Sequence, residues 1–117
     1  MEIDGSQIKV SGSSAYVLGV DRGGLIVFGQ AWCPHCQANK PIFHEAWALS
    51  NDIHPHGMLY LEGTVPKNKK TFEQLESIGI IQGYPTVYLF DKTGKLTKPY
   101  TGNRTVEDYL KTLSKQI

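Results

Sequence analysis

The apolar run Leu25-Ile26-Val27-Phe28 is followed within a few residues by Cys33-Pro34, and this junction constrains the chain more than any other stretch. Four unbroken apolar residues mark a strand covered on both faces. Pro34 suits the first position of a helix, where no N–H donor is needed. The helix it opens is expected to reach about Leu49, with Ile42, Phe43, Ala46, Trp47 and Leu49 forming a broad apolar stripe that packs on a sheet. A buried strand that feeds directly into such a helix requires a layered α/β domain.

The remaining elements follow from local signals. Ile8 to Val10 reads as a short first strand, with a weak helical stretch near Ser14–Val20. Met58 to Leu61 is the next long strand. Thr71-Phe72-Glu73-Gln74 has the spacing of a capping box, with Phe72, Leu75 and Ile78 on one face and Gly79 as the stop. Thr86-Val87-Tyr88-Leu89-Phe90 is a strand, Asp91-Lys92-Thr93-Gly94 a turn, and Lys95 to Tyr100 the returning partner of a hairpin. Thr105 caps a last helix, in which Val106, Tyr109, Leu110 and Leu113 recur at i, i+3, i+4 and i+7. The strands at Leu25–Phe28 and Met58–Leu61 are joined by a long helix, so they are expected to be parallel with a right-handed crossover. The result is a central mixed β-sheet flanked by helices on both faces.

The 117 residues suffice for one domain, and no repeat, linker or low-complexity tract divides them. A formal charge of +1, with both signs interspersed, gives no footprint for nucleic acid or an anionic membrane. Lys67-Asn68-Lys69-Lys70 is the one basic cluster, read as a solvated loop that leads into a helix. No run approaches the roughly 18 consecutive apolar residues of a membrane-spanning helix. Met1 to Ser6 lacks a basic and then apolar leader, and Lys115-Gln116-Ile117 carries no retention tetrapeptide. The expectation is a cytoplasmic monomer.

Both cysteines lie in Trp32-Cys33-Pro34-His35-Cys36. At the start of a helix, the Cys33 sulfur meets unpaired amides and the positive end of the dipole, which favour the nucleophilic thiolate. Cys36, three residues on, shares its helical face, with a Cβ about 5–6 Å away. That spacing suits a dithiol that opens and closes. A histidine cation at His35 adds to the stabilisation of the thiolate, and a stabilised thiolate makes the disulfide form a stronger oxidant. Zinc sites use the same cysteine spacing. The candidate histidine ligands, His54 and His56, lie beyond the far end of a helix about 22 Å long, so neither metal nor cofactor is expected.

These features resemble the thioredoxin fold, and within it the catalytic domain of protein disulfide isomerases, over about residues 25–114. Trp32 to Cys36 is similar to the active-site motif, and Pro41 to a proline that kinks the active-site helix. Gly83-Tyr84-Pro85-Thr86 is similar to a loop whose proline is cis and faces the cysteines, and Tyr100 to Thr105 to the segment before the last helix. The resemblance implies thiol–disulfide exchange with protein or peptide substrates and a separate redox partner. Cys33 is then the nucleophile and Cys36 the resolving thiol. Trp32, Pro34, Tyr84 and Pro85 touch substrate, and Arg104 approaches to lower the Cys36 pKa. The Pro-His pair between the cysteines resembles that of a strongly oxidising bacterial enzyme, so the lean is toward oxidase or isomerase.

The chain also departs from the family pattern. The family's buried carboxylate, six residues before the first cysteine, is Val27 here, and Tyr60 stands near the place of its partner lysine. The expectation is a Cys33 that attacks readily and a Cys36 that resolves slowly unless Arg104 assists. A glutathione-dependent or cluster-binding glutaredoxin-like protein and a non-catalytic peptide-binding module are the alternatives.

Overall fold

The computed structural model describes residues 1–116; Ile117, the end of the C-terminal tripeptide considered above, lies outside the described residues. Its core element is β4 (Gly24–Gly29), a six-residue strand buried along its whole length. β4 pairs in parallel with β5 (Met58–Glu62), aligning Leu25 with Met58 and Val27 with Tyr60. On its other side it pairs antiparallel with β6 (Thr86–Phe90), aligning Phe28 with Thr86 and Gly24 with Phe90. β7 (Leu96–Pro99) returns antiparallel beside β6. A two-residue strand, β1 (Glu2–Ile3), adds a parallel edge to β5, giving the order β1-β5-β4-β6-β7.

Alternation along β4 divides the core into two layers. Leu25 and Val27 face one side with Met58, Tyr60, Val87 and Leu89. There they meet Phe43 and Ala46 of α1 (Pro34–Ser50) and Tyr109 and Leu113 of α3 (Val106–Gln116). The Phe43 and Tyr109 rings pack edge to face at 5.2 Å, an arrangement the aromatic quadrupole favours. Ile26 and Phe28 face the other side, where they meet Phe72 and Leu75 of α2 (Lys69–Ser77). The sheet is therefore mixed and carries helices on both faces, as its sequence pattern implies. Among the described residues no helix is long and apolar enough to cross a membrane.

The N-terminal third departs from expectation. Residues near Ser14–Val20 do not form a helix: β2 (Ile8–Ser11) and β3 (Ser14–Val17) make an antiparallel hairpin turned at Gly12-Ser13. The cause is visible in burial: Ala15 and Val17 point into the α2-side core while Ser14 and Tyr16 stay half-exposed, a period of two. The capping box is also elsewhere. Asp4 and Gln7 form it around a short 3-10 turn at Gly5–Gln7, whereas Thr71 lies inside α2 and its hydroxyl donates to the Gly5 carbonyl. The other local readings hold. Gly79 ends α2 at φ +81°, a conformation glycine adopts without a Cβ penalty, and Thr105 Oγ1 accepts from the Asp108 N–H at the start of α3.

Asn68, the apparently solvated member of the basic cluster, is buried at the head of α2. Its Oδ1 accepts from the Gly5 N–H at 2.8 Å and its Nδ2 donates to the Glu62 carbonyl at 2.9 Å. One amide thus joins the N-terminal segment, the end of β5 and α2. Asn68→Ala leaves both partners without it and is expected to lower unfolding free energy by about 1–3 kcal/mol. Lys67→Ala, which removes only the exposed 3.2 Å ion pair to Asp4, is expected to cost less than about 1 kcal/mol. Urea unfolding followed by tryptophan fluorescence distinguishes the two.

Candidate active site

β4, β5 and the entry to β6 all bring the same end of the sheet together. Parallel strands present their carboxyl ends as the natural place for a site. From the end of β4 the chain passes through Gln30-Ala31-Trp32 and enters α1 at Cys33, which occupies the N-cap in extended geometry with Pro34 at the next position. α1 continues through Pro41. The missing Pro41 N–H leaves a break in the helical ladder that the flanking turns tolerate.

Both cysteines are free thiols and both are largely enclosed, Cys33 at 6% and Cys36 at 2% exposure. The Cys33 Sγ–H points to the Tyr84 carbonyl at 3.6 Å, and Tyr84-Pro85 is a cis peptide. Above this contact the Trp32 ring, 65% exposed, meets the Tyr84 ring edge to face at 6.2 Å. Tyr84 in turn stacks on Phe72 at 6.1 Å and donates its hydroxyl to Glu76 Oε2 at 3.0 Å. An exposed indole beside a packed, hydrogen-bonded tyrosine makes a firm apolar rim around the first sulfur.

The two sulfurs differ electrostatically. The Cys36 backbone amide lowers the Cys33 thiol most; burial opposes this, and the Cys36 thiol, the His35 amide and the charge of Arg104 add to the lowering. Burial pushes Cys36 up to about 11, against the pull of the Gln30 N–H on its sulfur at 3.4 Å, and the neighbouring Cys33 and Glu62 push it further. A thiol held down and a thiol held up, three residues apart, make one ready nucleophile and one reserve.

Several anticipated residues converge here: Trp32, Cys33, Pro34, Cys36, Tyr84 and Pro85. The remaining two, His35 and Arg104, are both exposed. The His35 backbone amide helps to lower the Cys33 thiol. The charge of Arg104 also lowers the Cys33 thiol. Val27 is fully buried opposite Tyr60, and the Tyr60 hydroxyl reaches over Gly29, where any Cβ would collide with it. His54 is buried against the Gly23 carbonyl at the other end of α1. Among the described residues no three His, Cys, Asp or Glu side chains are grouped to hold a metal.

Glu62 escaped the sequence reading. It closes β5, and its Oε2 accepts from the Ala31 N–H at 2.8 Å, beside the Gln30 amide that serves Cys36. Its position at the carboxyl end of a strand parallel to the one that feeds Cys33 was the available signal. Beneath Cys36 lies a pocket of about 730 Å³, lined among others by Tyr60, Glu62, Lys40, Pro41 and His44. Burial holds the His44 imidazole below its usual range and keeps the Tyr60 phenol protonated.

These shifts set a pH dependence. A thiol with a lowered pKa becomes reactive at lower pH than a free thiol. The rate of iodoacetamide alkylation at Cys33 is expected to rise through a midpoint below the ordinary thiol value of about 8.5, while Cys36 stays unreactive at neutral pH. Arg104→Ala removes a favourable charge and is expected to move the Cys33 midpoint upward. Mass spectrometry of the alkylated peptides reads both.

Comparison with known proteins agrees with this geometry. The thioredoxin family (Thioredoxin) matches residues 14–115. The chain is 30% identical over 93 residues to Protein disulfide isomerase-like 1-1 of Arabidopsis thaliana, covering 79% of this chain and 18% of that protein. It is 34% identical over 92 residues to a protein disulfide-isomerase of Zea mays, covering 78% of this chain and 16% of that one. The chain thus spans less than a fifth of the length of either relative. Among solved structures, the human ERp44 zinc-bound form superposes with TM-score 0.66 at 22% identity, over 82% of this chain and 27% of that one. Reduced Schistosoma mansoni thioredoxin pre-protein gives 0.59 at 18% identity, over 85% and 83%. With the two-faced mixed sheet, the cysteine pair at the head of α1 and the facing cis-proline loop, this chain belongs to the thioredoxin family, close to the domains of protein disulfide isomerases.

Proposed function

We propose that the chain exchanges disulfides with protein or peptide substrates through the Cys33–Cys36 couple, with a lean toward oxidation and isomerisation. The observation that carries this is the opposed tuning of the two sulfurs at the head of α1. The Cys33 thiolate attacks a substrate disulfide. One substrate sulfur bonds to Cys33 and the other leaves as a thiolate. Cys36 then gives up its proton and attacks Cys33, closing the pair and releasing the second substrate thiolate. Two electrons pass from the protein dithiol to the substrate disulfide. The reverse sequence oxidises a substrate dithiol, and a separate redox partner resets the couple.

Substrate binding rests on the rim. Trp32 and Tyr84 offer apolar contact on either side of Cys33, and Pro34 and Pro85 border the same sulfur. The Tyr84 carbonyl that faces the Cys33 thiol sits where the backbone of an extended peptide aligns. The oxidising lean follows from linkage between acidity and potential. Whatever lowers the Cys33 pKa stabilises the reduced form, so the disulfide becomes the stronger oxidant. Relatives named for disulfide isomerisation support the same direction.

Reduction of insulin disulfides is expected to vanish in Cys33→Ser. Cys36→Ser is expected to accumulate a mixed disulfide visible on a non-reducing gel. Activity retained in Cys33→Ser, or binding of peptide with no exchange in the native chain, defeats the enzymatic reading. Equilibration against a glutathione series is expected to place the couple above about −200 mV, whereas a value near −270 mV assigns a reductase.

A further inference from the structure

The position that would hold a buried acid beneath the cysteines is Val27, and its cross-strand partner is Tyr60. Neither serves as a proton acceptor at neutral pH, since one is apolar and the other is a phenol kept protonated by burial. The charged group nearest to this gap on the neighbouring strand is Glu62. Three donors converge on its Oε2: the Ala31 N–H at 2.8 Å, the Thr64 N–H at 3.1 Å and the Thr64 hydroxyl at 2.7 Å. The carboxylate is therefore fixed in place. The amide next in the chain, that of Gln30, bonds the Cys36 sulfur at 3.4 Å. Two consecutive amides thus engage the Cys36 sulfur and the Glu62 carboxylate, and both groups line the same pocket.

A carboxylate is a much weaker base than a thiolate, so it is poorly suited to take the Cys36 proton. Its charge is another matter. A second negative charge forming on Cys36 meets Glu62 across a partly enclosed pocket, and like charges disfavour ionisation. The groups around Cys36 do not cancel that charge. On α1, Lys40 is bound to Glu2 at 2.8 Å and lies over the Tyr60 ring at 4.9 Å, and Glu45 adds a further negative charge to the pocket. His44, also on α1, is held toward its neutral form. From the loop before β6, Tyr84 contributes a phenol, and Arg104 acts on Cys33.

We propose that Glu62 is a positioning residue for Cys36: its fixed carboxylate adds to burial in disfavouring a thiolate at the second sulfur and so prolongs the mixed disulfide on Cys33. This rests on the exchange reading above and gives that reading a consequence: substrates stay bound covalently long enough for a second substrate thiol to attack instead of Cys36. Such an attack breaks the Cys33–substrate bond, forms a new substrate disulfide and returns Cys33 as thiolate. No external oxidant or reductant is consumed. Disulfide isomerisation is then favoured over net reduction.

The test uses 5,5′-dithiobis(2-nitrobenzoate) and the chain with both cysteines reduced. The first thionitrobenzoate released reports attack by Cys33, and the second reports closure by Cys36. Glu62→Gln retains an oxygen for the Ala31 and Thr64 donors and loses the charge. Its second release is expected to be about three-fold or more faster at pH 7, with the first little changed. In a Cys33→Ser background, the Cys36 midpoint, followed by thiolate absorbance, is expected about half a unit or more lower with Glu62→Gln than without it. Glu62→Asp, which keeps the charge, is expected to keep the native midpoint. An unchanged or slower second release in Glu62→Gln overturns the proposal, as does a midpoint that falls equally in Glu62→Asp. Absence of the first release in the native chain defeats the exchange reading alone, because the Cys36 midpoints still decide the role of Glu62.

Discussion

The site depends on the complete burial of β4. A six-residue strand with no exposed position cannot slide in register without moving apolar side chains out of one core layer or the other. That rigidity fixes where Gly29 ends and hence where Gln30, Ala31 and Cys33 begin. β6 is held antiparallel to the same strand, so the Tyr84-Pro85 loop is brought back to the same end. The contact between the Cys33 thiol and the Tyr84 carbonyl is therefore a property of the sheet. Neither loop could set it alone.

Within that frame the two sulfurs are handled differently by neighbours only a few residues apart. Cys33 sits at the helix N-cap among amides that favour charge, and a cation adds to their effect. Cys36 sits one turn inside, where burial and two anionic neighbours resist charge. Loss of an acid at Val27 and of a lysine at Tyr60 does not leave an empty hole. A large phenol fills the space, and its hydroxyl lies against Gly29. The chemistry of the second step thus passes to the edge of the pocket, where Glu62 is tied to the loop that carries the cysteines.

Much of this was legible in the sequence, for identifiable reasons. The apolar run at Leu25–Phe28, Pro34 at the first helical position and the periodic face of Val106, Tyr109 and Leu113 are strong local signals, and each element formed where its pattern placed it. β1 is two residues long, too short for any period, and it exists because β5 offers an unpaired edge. The β2–β3 hairpin was masked by the serines and glycines between its short apolar alternations, Ile8 with Val10 and Ala15 with Val17, which pack into one core layer. Of the site, the cysteines could be found from spacing and the proline loop from the family resemblance. Glu62 could not, because its role arises from two strands and a loop that meet only in the folded chain.

The two hairpins meet at the opposite pole of the molecule from the sulfurs. There the Val17 N–H bonds the Gly94 carbonyl at 2.7 Å, and Tyr16 bridges to Lys95. Gly94 has φ +87°, and a side chain on it would run into the Val17 carbonyl. This clasp lies at the far end of β6 from Tyr84. Local opening at that pole would free β2 and β3, whose Ala15 and Val17 share a core layer with Phe72, the ring on which Tyr84 stacks. Durability of the fold and order at the dithiol therefore share one core layer. A clasp far from the sulfurs thus bears on them through the side chains packed between the two ends.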